Sequence, residues 1–475
     1  MKTRKIMLVY PNFKWIKGYE GRTLWRLHPY NICLLAAILE RKYNVKIVDA
    51  NFDDLSLSQF KDDISKYAPD IVGISLNANE YVDSGLIAAE AIKSVNPGIK
   101  VVFGGSSVIF NPDYIMSKES VDFAVCGEAE VVFPILCDYL FGLSDLPKTG
   151  ILFGKDGKVI NLGMAEYITD LDSLPLPAYH LVDFKKYANA MQRESTDRPR
   201  DLPYARIITS RGCPFRCCFC AAGVVSGKKI RYRSPDNIMA EIDFLVKEYG
   251  IKSMMIDDDN ILVDRDRAIK FFKLLISRNY NLKWNAMAMA VFKLDEELLD
   301  LIKQSGCQYI NVAIESGVER VLKTIIHKPV DLDQAKYMVS KIKGIEIDVV
   351  ANFVIGFPGE TWNEIRKTIK YAEDLDVDYI KIFIATPFPN TELYRIAKES
   401  GSLIENYDIN NHLWTDGFIR TPEFRPQDLK IFRAYEWDRI NFSDSLRKKK
   451  IAVMMNVTEE RLDEIRKTTL ARANP

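Results

Sequence analysis

Ala205 to Cys220 reads ARIITSRGCPFRCCFC, and its two halves ask for two different things. The first half, Ala205–Ser210, is a short run rich in apolar and β-branched residues, which predicts a buried strand. The second half sets Cys213, Cys217 and Cys220 in a C-x3-C-x2-C spacing at the carboxyl end of that strand. Thiolates are soft ligands, and so tight a spacing lets one loop wrap one iron–sulfur cluster. Three ligands on a four-iron cluster leave one iron open to a small molecule. A zinc site is the competing reading, but zinc asks for a fourth Cys or His close by. Cys218 is adjacent to Cys217 and badly placed to share its metal, and His28, His180, His327 and His412 are remote in sequence. Cys33, Cys126, Cys137 and Cys307 are scattered through apolar contexts, too few for a disulfide scaffold.

Downstream, strand patterns at Ser253–Asp257, Trp284–Ala288, Tyr309–Glu315, Val349–Ile355 and Tyr379–Ala385 alternate with helical stretches such as Pro235–Lys247, Asp264–Ser277 and Trp362–Leu375. With Ala205–Ser210 these units predict an α/β fold, a partial (β/α)6 barrel of the TIM type whose site lies at the carboxyl ends of its strands. Upstream, Ile6–Tyr10, Val45–Asp49, Ile71–Leu76, Val101–Gly104 and Phe123–Cys126 read as strands, with helices such as Asn31–Lys42 and Asp83–Ser94 between them. That alternation predicts a doubly wound, Rossmann-like parallel sheet. The two regions are joined by a proline-containing connector with a hairpin over Ile151–Ile160, turning at Lys155-Asp156-Gly157. The C-terminal stretch is charged and helical, with a basic run at Arg447–Lys450. The expected division is 1–142, 143–204, 205–400 and 401–475.

Composition narrows the function classes. The 475 residues hold 65 Lys plus Arg against 65 Asp plus Glu, so no chain-wide basic field exists for nucleic acid or an anionic membrane. The longest apolar runs, such as Ile32–Leu39, fall far short of the ~20 residues of a membrane span. Met1–Tyr10 ends at Pro11 with no small-residue cleavage pattern and reads as a first strand rather than a signal peptide, which predicts a cytosolic protein.

Arg211–Cys220, RGCPFRCCFC, has an aromatic residue before its last cysteine and resembles the cluster-binding loop of radical S-adenosylmethionine (SAM) enzymes. The resemblance implies a [4Fe-4S] cluster on Cys213, Cys217 and Cys220, with SAM chelating the free iron through its amino and carboxylate groups. It also implies SAM contacts at three strand ends: Asp258 and Asn260, then Glu315 and Ser316, then Gly356 in the turn Gly356-Phe357-Pro358-Gly359-Glu360-Thr361. Each motif alone is equally a helix cap or a tight turn; their order along the chain carries the match. Arg231 and Arg233 face the same two readings, a partner for SAM or the cluster, or a turn before a helix. Tyr435-Glu436-Trp437-Asp438-Arg439 resembles a segment of cobalamin-dependent methylases, and packing explains its aromatics as well.

Phe103-Gly104-Gly105, then Pro112, Asp122 and Gly127-Glu128-Ala129-Glu130, resembles the cobalamin-binding domain fused to one branch of radical SAM enzymes, against a generic nucleotide or flavin fold. This implies cobalamin contacts at Gly104, Gly105, Ser106, Gly127 and Glu128, with Asn77 or Asn79 beneath the corrin. Other such domains supply a histidine from D-x-H-x-x-G. Asp49-Ala50-Asn51-Phe52-Asp53, the stretch compared with it, has none, which implies base-off cobalamin without a histidine ligand. Together the resemblances imply a cobalamin-dependent radical SAM methyltransferase. One SAM methylates reduced cobalamin and a second yields a 5′-deoxyadenosyl radical that opens an unactivated carbon to methylation. A low-potential donor such as ferredoxin or flavodoxin would reduce the cluster, and the substrate would be a peptide side chain or a small molecule. Cyclisation, ring contraction or carbon–carbon coupling by the same cofactors is the alternative, and a sensor without turnover lies outside the enzyme class altogether.

Overall fold

The computed structural model describes residues 4–19, 27–190, 196, 200–287, 289–411 and 415–474; Met1, Ala288 and His412, named above, lie outside them. The chain forms two compact units, the first built mainly of residues 1–192 and the second of most of the remainder.

In the first unit, β1 (Lys5–Tyr10), β2 (Asn44–Asp49), β3 (Ile71–Ser75), β4 (Lys100–Gly104) and β5 (Phe123–Val125) pair in the order β2-β1-β3-β4-β5, all parallel. The strand centres are apolar on both sides because helices cover both faces. Ile6 and Leu8 pack to one side with Ile32, Cys33 and Ala36, while Met7 and Val9 pack to the other with Phe60, Ile64 and Ile92. The order reverses between β1 and β3, and the crevice beyond their carboxyl ends is where such sheets bind ligands. The connector hairpin does more than link: β6 (Ile151–Lys155) and β7 (Lys158–Asn161) add two antiparallel strands to the β5 edge.

The second unit opens with β8 (Tyr204–Ile207). A short antiparallel pair, β9 (Ser210–Arg211) and β10 (Arg231–Tyr232), brackets the cysteine loop. Then β11 (Ser253–Ile256) and β12 (Lys283–Ala286) join β8 in the parallel order β8-β11-β12. A second parallel set, β13 (Tyr309–Glu315), β14 (Asp348–Ile355) and β15 (Tyr379–Ile384), is linked to it by bridges Trp284–Cys307 and Met289–Val312. Six strands thus form the expected partial barrel, with β8 and β15 as its unpaired edges.

An open strand edge exposes backbone groups that must find partners. At β15 the partner is a helix, Pro426–Asn441. Asn441 accepts from Ile380 N through Oδ1 (2.8 Å) and donates Nδ2 to Ile380 O (2.9 Å), so its amide imitates a neighbouring strand. Trp437 of the same helix donates to the Tyr379 hydroxyl (3.1 Å), which makes the Tyr435–Arg439 segment a packing element at that position. Asn441→Ala should leave both Ile380 groups buried and unmet, lowering the stability of the barrel unit by about 3 kcal/mol in urea unfolding. An unchanged midpoint would show that Ile380 is held by something else. Three of the four cations of the basic run are likewise taken up within the unit: Arg447 donates to Val377 O, Lys448 pairs with Asp463, and Lys450 pairs with Asp378. Among the described residues no helix is long and apolar enough to cross a membrane.

Candidate functional site

The cysteine loop is pinned from three sides. At its base, Asp258, at the end of β11, accepts from Thr209 N (2.6 Å), the Thr209 hydroxyl and the Ser210 hydroxyl (2.6 Å). Its neighbour Asp259 accepts from Gly212 N (3.2 Å), where φ is +91° and glycine is favoured. Further along, Cys213 N donates to Gly227 O (3.1 Å) and Cys218 N to Ile326 O (2.9 Å), while Leu393 N donates to Cys218 O (2.8 Å). Phe219 meets Phe357 of the Gly356 turn, ring centres 5.8 Å apart.

Within this frame the Cys218 side chain is buried, whereas Cys213, Cys217 and Cys220 retain exposure. The three thiols feel one another's charge, and Lys328 acts on all three. Burial pushes the Cys217 thiol up to about 11, with Lys328 pulling it back. Three soft thiol donors on one loop, with the fourth thiol turned into the core, fit a cluster with one open iron.

Lys328 was not legible in the sequence. It follows the π-helical turn Val321–Ile326 and His327, whose φ is +62°, and its ammonium lies 2.7 Å from Glu315 Oε1 with both side chains less than a tenth exposed. Burial opposes the Lys328 charge, but Glu315 and the thiols outweigh it and hold the ammonium above its ordinary value. Glu315 itself sits at φ +74° where the β13–β14 register shifts, a backbone arrangement that aims its carboxylate at Lys328.

The other expected SAM residues fall into two groups. Asn260 Oδ1 caps its own turn by accepting from Leu262 N (3.1 Å), and Gly356 takes φ +91° in the turn after β14. Ser316, by contrast, is fully buried against Thr368 (3.0 Å) and accepts from Val318 N, and Asp258 is engaged with the cysteine strand. Both are positioning groups by geometry. Arg233 is also taken up internally, by an ion pair with Glu241 and bonds to Asn237 Oδ1 (2.7 Å) and Ile208 O (3.0 Å).

In the first unit, Gly104 and Gly105 end β4 at the crevice. A Cβ on Gly104 would meet nothing within 4 Å, whereas one on Gly105 (φ +98°) would lie 2.5 Å from Leu76 O. Nearby, Asn79 Oδ1 and the hydroxyl of Ser107, a residue the sequence reading passed over, are buried without hydrogen-bond partners. Open space over a glycine beside unpaired polar atoms fits a large polar cofactor. Asn77 is bonded to Tyr10, Asn31 and, through its carbonyl, the Ser106 hydroxyl (2.7 Å) at the ends of β1 and β3. Gly127 has φ +108°, and Glu128 accepts from Ile168 N (2.8 Å), fastening the connector. Asp49 ends β2 and Ala50–Asp53 follow it, one strand outside the crevice; the loop after β1 borders it instead.

Two buried carboxyls give the molecule a pH signature. Asp49 accepts from Tyr187 (2.9 Å) and Phe52 N (2.8 Å), and Glu360 accepts from Gly356 N (2.7 Å) and Phe357 N (3.1 Å). Burial outweighs these bonds and pushes each up to about 7. The unfolded chain ionises them at ordinary carboxylate values, so their contribution is complete below those values and is lost as pH rises through about 7. The melting temperature should therefore fall between about pH 4 and pH 7 and level off above that. Asp49→Asn and Glu360→Gln should each flatten that slope for their own unit; a slope unmoved by either change would remove that carboxyl from the account.

Comparison with known proteins agrees with the two units. The radical SAM superfamily matches residues 207–372, and the B12 binding domain matches residues 23–137. The chain is 32% identical over 410 residues to an uncharacterized methyltransferase of Pyrococcus horikoshii, covering 85% of each chain. It is 30% identical over 440 residues to the cytidylyl-2-hydroxyethylphosphonate methyltransferase of Streptomyces wedmorensis, covering 85% of this chain and 81% of that one. In fold it resembles the cobalamin-dependent S-adenosylmethionine radical enzyme OxsB, with TM-score 0.75 and 16% identity over 99% of this chain and 72% of that one. The chain belongs to the radical SAM superfamily, as a methyltransferase that carries an N-terminal B12-binding domain.

Proposed function

We propose that this enzyme methylates an unactivated carbon of its substrate, using a [4Fe-4S] cluster, SAM and base-off cobalamin. The observation that carries the reading is the set of three partly or fully exposed thiols on one loop at the end of β8, pinned by Asp258, Asp259 and Ile326. When bound, these cofactors supply a hydrogen-abstracting radical and a transferable methyl group. The chain's own work is to hold and orient. Cys213, Cys217 and Cys220 would ligate the cluster, and Asp258 keeps their loop in register with β11. Asn260, Glu315 and the Gly356 turn would meet SAM, with Ser316 setting the backbone after Glu315. Asn77, Asn79, Gly104, Gly105, Ser106 and Gly127 would receive cobalamin, with Glu128 holding the connector in place behind them. The working domain boundaries are 1–142, 143–204, 205–400 and 401–475, and a cytosolic low-potential carrier, ferredoxin or flavodoxin, would deliver the electron.

Anaerobic reconstitution with iron, sulfide and cobalamin tests the cofactor set, with about four irons and one cobalt per chain expected. Methylated product released together with S-adenosylhomocysteine and 5′-deoxyadenosine then establishes the reaction. Iron without cobalamin would remove the methyl carrier and with it the proposal.

A further inference from the structure

Most guanidinium groups of the second unit are answered by carboxylates or carbonyls. On or beside the helix that seals β15, Arg425 pairs with Asp428, and Arg439 pairs with Glu373 and Glu436. Arg433 is different. Its Nε donates to Ile382 O (2.8 Å) at the free edge of β15, and this is its one hydrogen bond to the described residues. Both terminal nitrogens lack a partner among the described residues, yet neither is sealed from solvent-accessible space. The surroundings are low in polarity: burial pushes the guanidinium below its ordinary value, and the Tyr379 phenol is the one group that opposes this. Lys381, the residue before Ile382, places a second cation on the same strand.

A cation held in such surroundings without a counter-ion is costly. Arginine cannot relieve the cost by giving up its proton. If the side chain served only to cap Ile382 O, a neutral amide could do that work without the charge. The two free nitrogens form a planar fork that matches a carboxylate, phosphate or phosphonate through two parallel charge-assisted bonds. Arg433 lies on the helix that covers the free edge of β15, and its two terminal nitrogens keep some exposure through which a ligand would reach them.

We propose that Arg433 is a substrate-recognition residue that docks an oxyanion of the molecule to be methylated. The proposal rests on the methyltransferase reading only in naming that anion as part of the substrate. The test uses the full chain with its cluster reconstituted, titrated calorimetrically with methylphosphonate, inorganic phosphate and acetate. At least one should bind saturably at one site per chain, and the preferred probe tells a phosphorus oxyanion from a carboxylate. In R433Q the amide can still donate to Ile382 O, so the variant should melt like wild type while binding that probe about ten- to a hundredfold more weakly. Should R433Q not fold, R433K carries the test: a point charge in place of the fork should weaken binding about tenfold. Unchanged affinity in the folded variant, or no saturable binding by wild type, overturns the assignment. So does an equal loss of SAM affinity in R433Q without substrate, which would make Arg433 part of the cofactor site. Anion binding is measured without turnover. A chain that binds the anion but forms no S-adenosylhomocysteine would sink the methyltransferase reading and leave this site standing.

Discussion

Alanine at Cys213, Cys217 or Cys220 is expected to leave the chain folded but without iron, whereas alanine at Cys218 leaves the iron in place. The contrast follows from geometry that sequence spacing alone does not supply. Cys218 contributes its backbone, N–H to Ile326 O and carbonyl to Leu393 N, and its side chain is 2% exposed. Losing that buried sulfur costs packing of order 1 kcal/mol and leaves both backbone bonds intact. The other three thiols keep exposure on one loop and are the ones free to take an iron each, so removing any one opens a second iron and breaks the ligand set. Iron per chain after anaerobic reconstitution should fall from about four to near zero in the three variants, and reductive SAM cleavage should fall below detection. Wild-type iron in Cys217→Ala, or loss of iron in Cys218→Ala, would show that the ligands are wrongly assigned.

The second large effect concerns Lys328 and Glu315. Replacing Lys328 with Met strands a carboxylate that is less than a tenth exposed, and breaking one side of such a pair costs about 3–5 kcal/mol. Urea unfolding of the barrel unit should show that loss, and Glu315→Gln in the Lys328→Met background should recover much of it. The cation also acts on the thiols, so Lys328→Met should have a cluster that is harder to reduce, seen as a more negative midpoint potential. Glu315 acts on Cys217 in the opposite sense, so the double variant should recover part of that shift along with its stability. A potential unmoved in Lys328→Met would confine Lys328 to a structural role.

These two sites differ in how far they could be read from the chain. The cysteine loop was legible because its chemistry is local: the ligands are neighbours in sequence and the strand before them is apolar. The parallel strands were legible for a similar reason, since helices on both faces leave continuous apolar runs, and boundaries such as Tyr309–Glu315 emerged unchanged. Lys328 carries no local signal. It reaches Glu315 through a π-helical turn and a left-handed residue, neither of which composition announces. The same limit explains Ser316, which the resemblance set at SAM, and Arg233, which was open to a ligand contact or a turn. Their partners, Thr368 and Glu241, come into reach only through packing of the helices that carry them. The hairpin was expected, but its union with β5 depended on a sheet edge that lies elsewhere in the chain.

The seal along β15 has a consequence for how this barrel can change over evolutionary time. A strand joins its neighbour through a backbone ladder, so moving it by one residue turns every side chain to the opposite face. Here the last strand is closed by an asparagine and an arginine projecting from a helix, which are set by codons rather than by register. That margin of the barrel can therefore be remodelled one substitution at a time, with no strand to rebuild. If the open side admits the substrate, the family has a wall it can renovate for new molecules while the cluster end stays fixed.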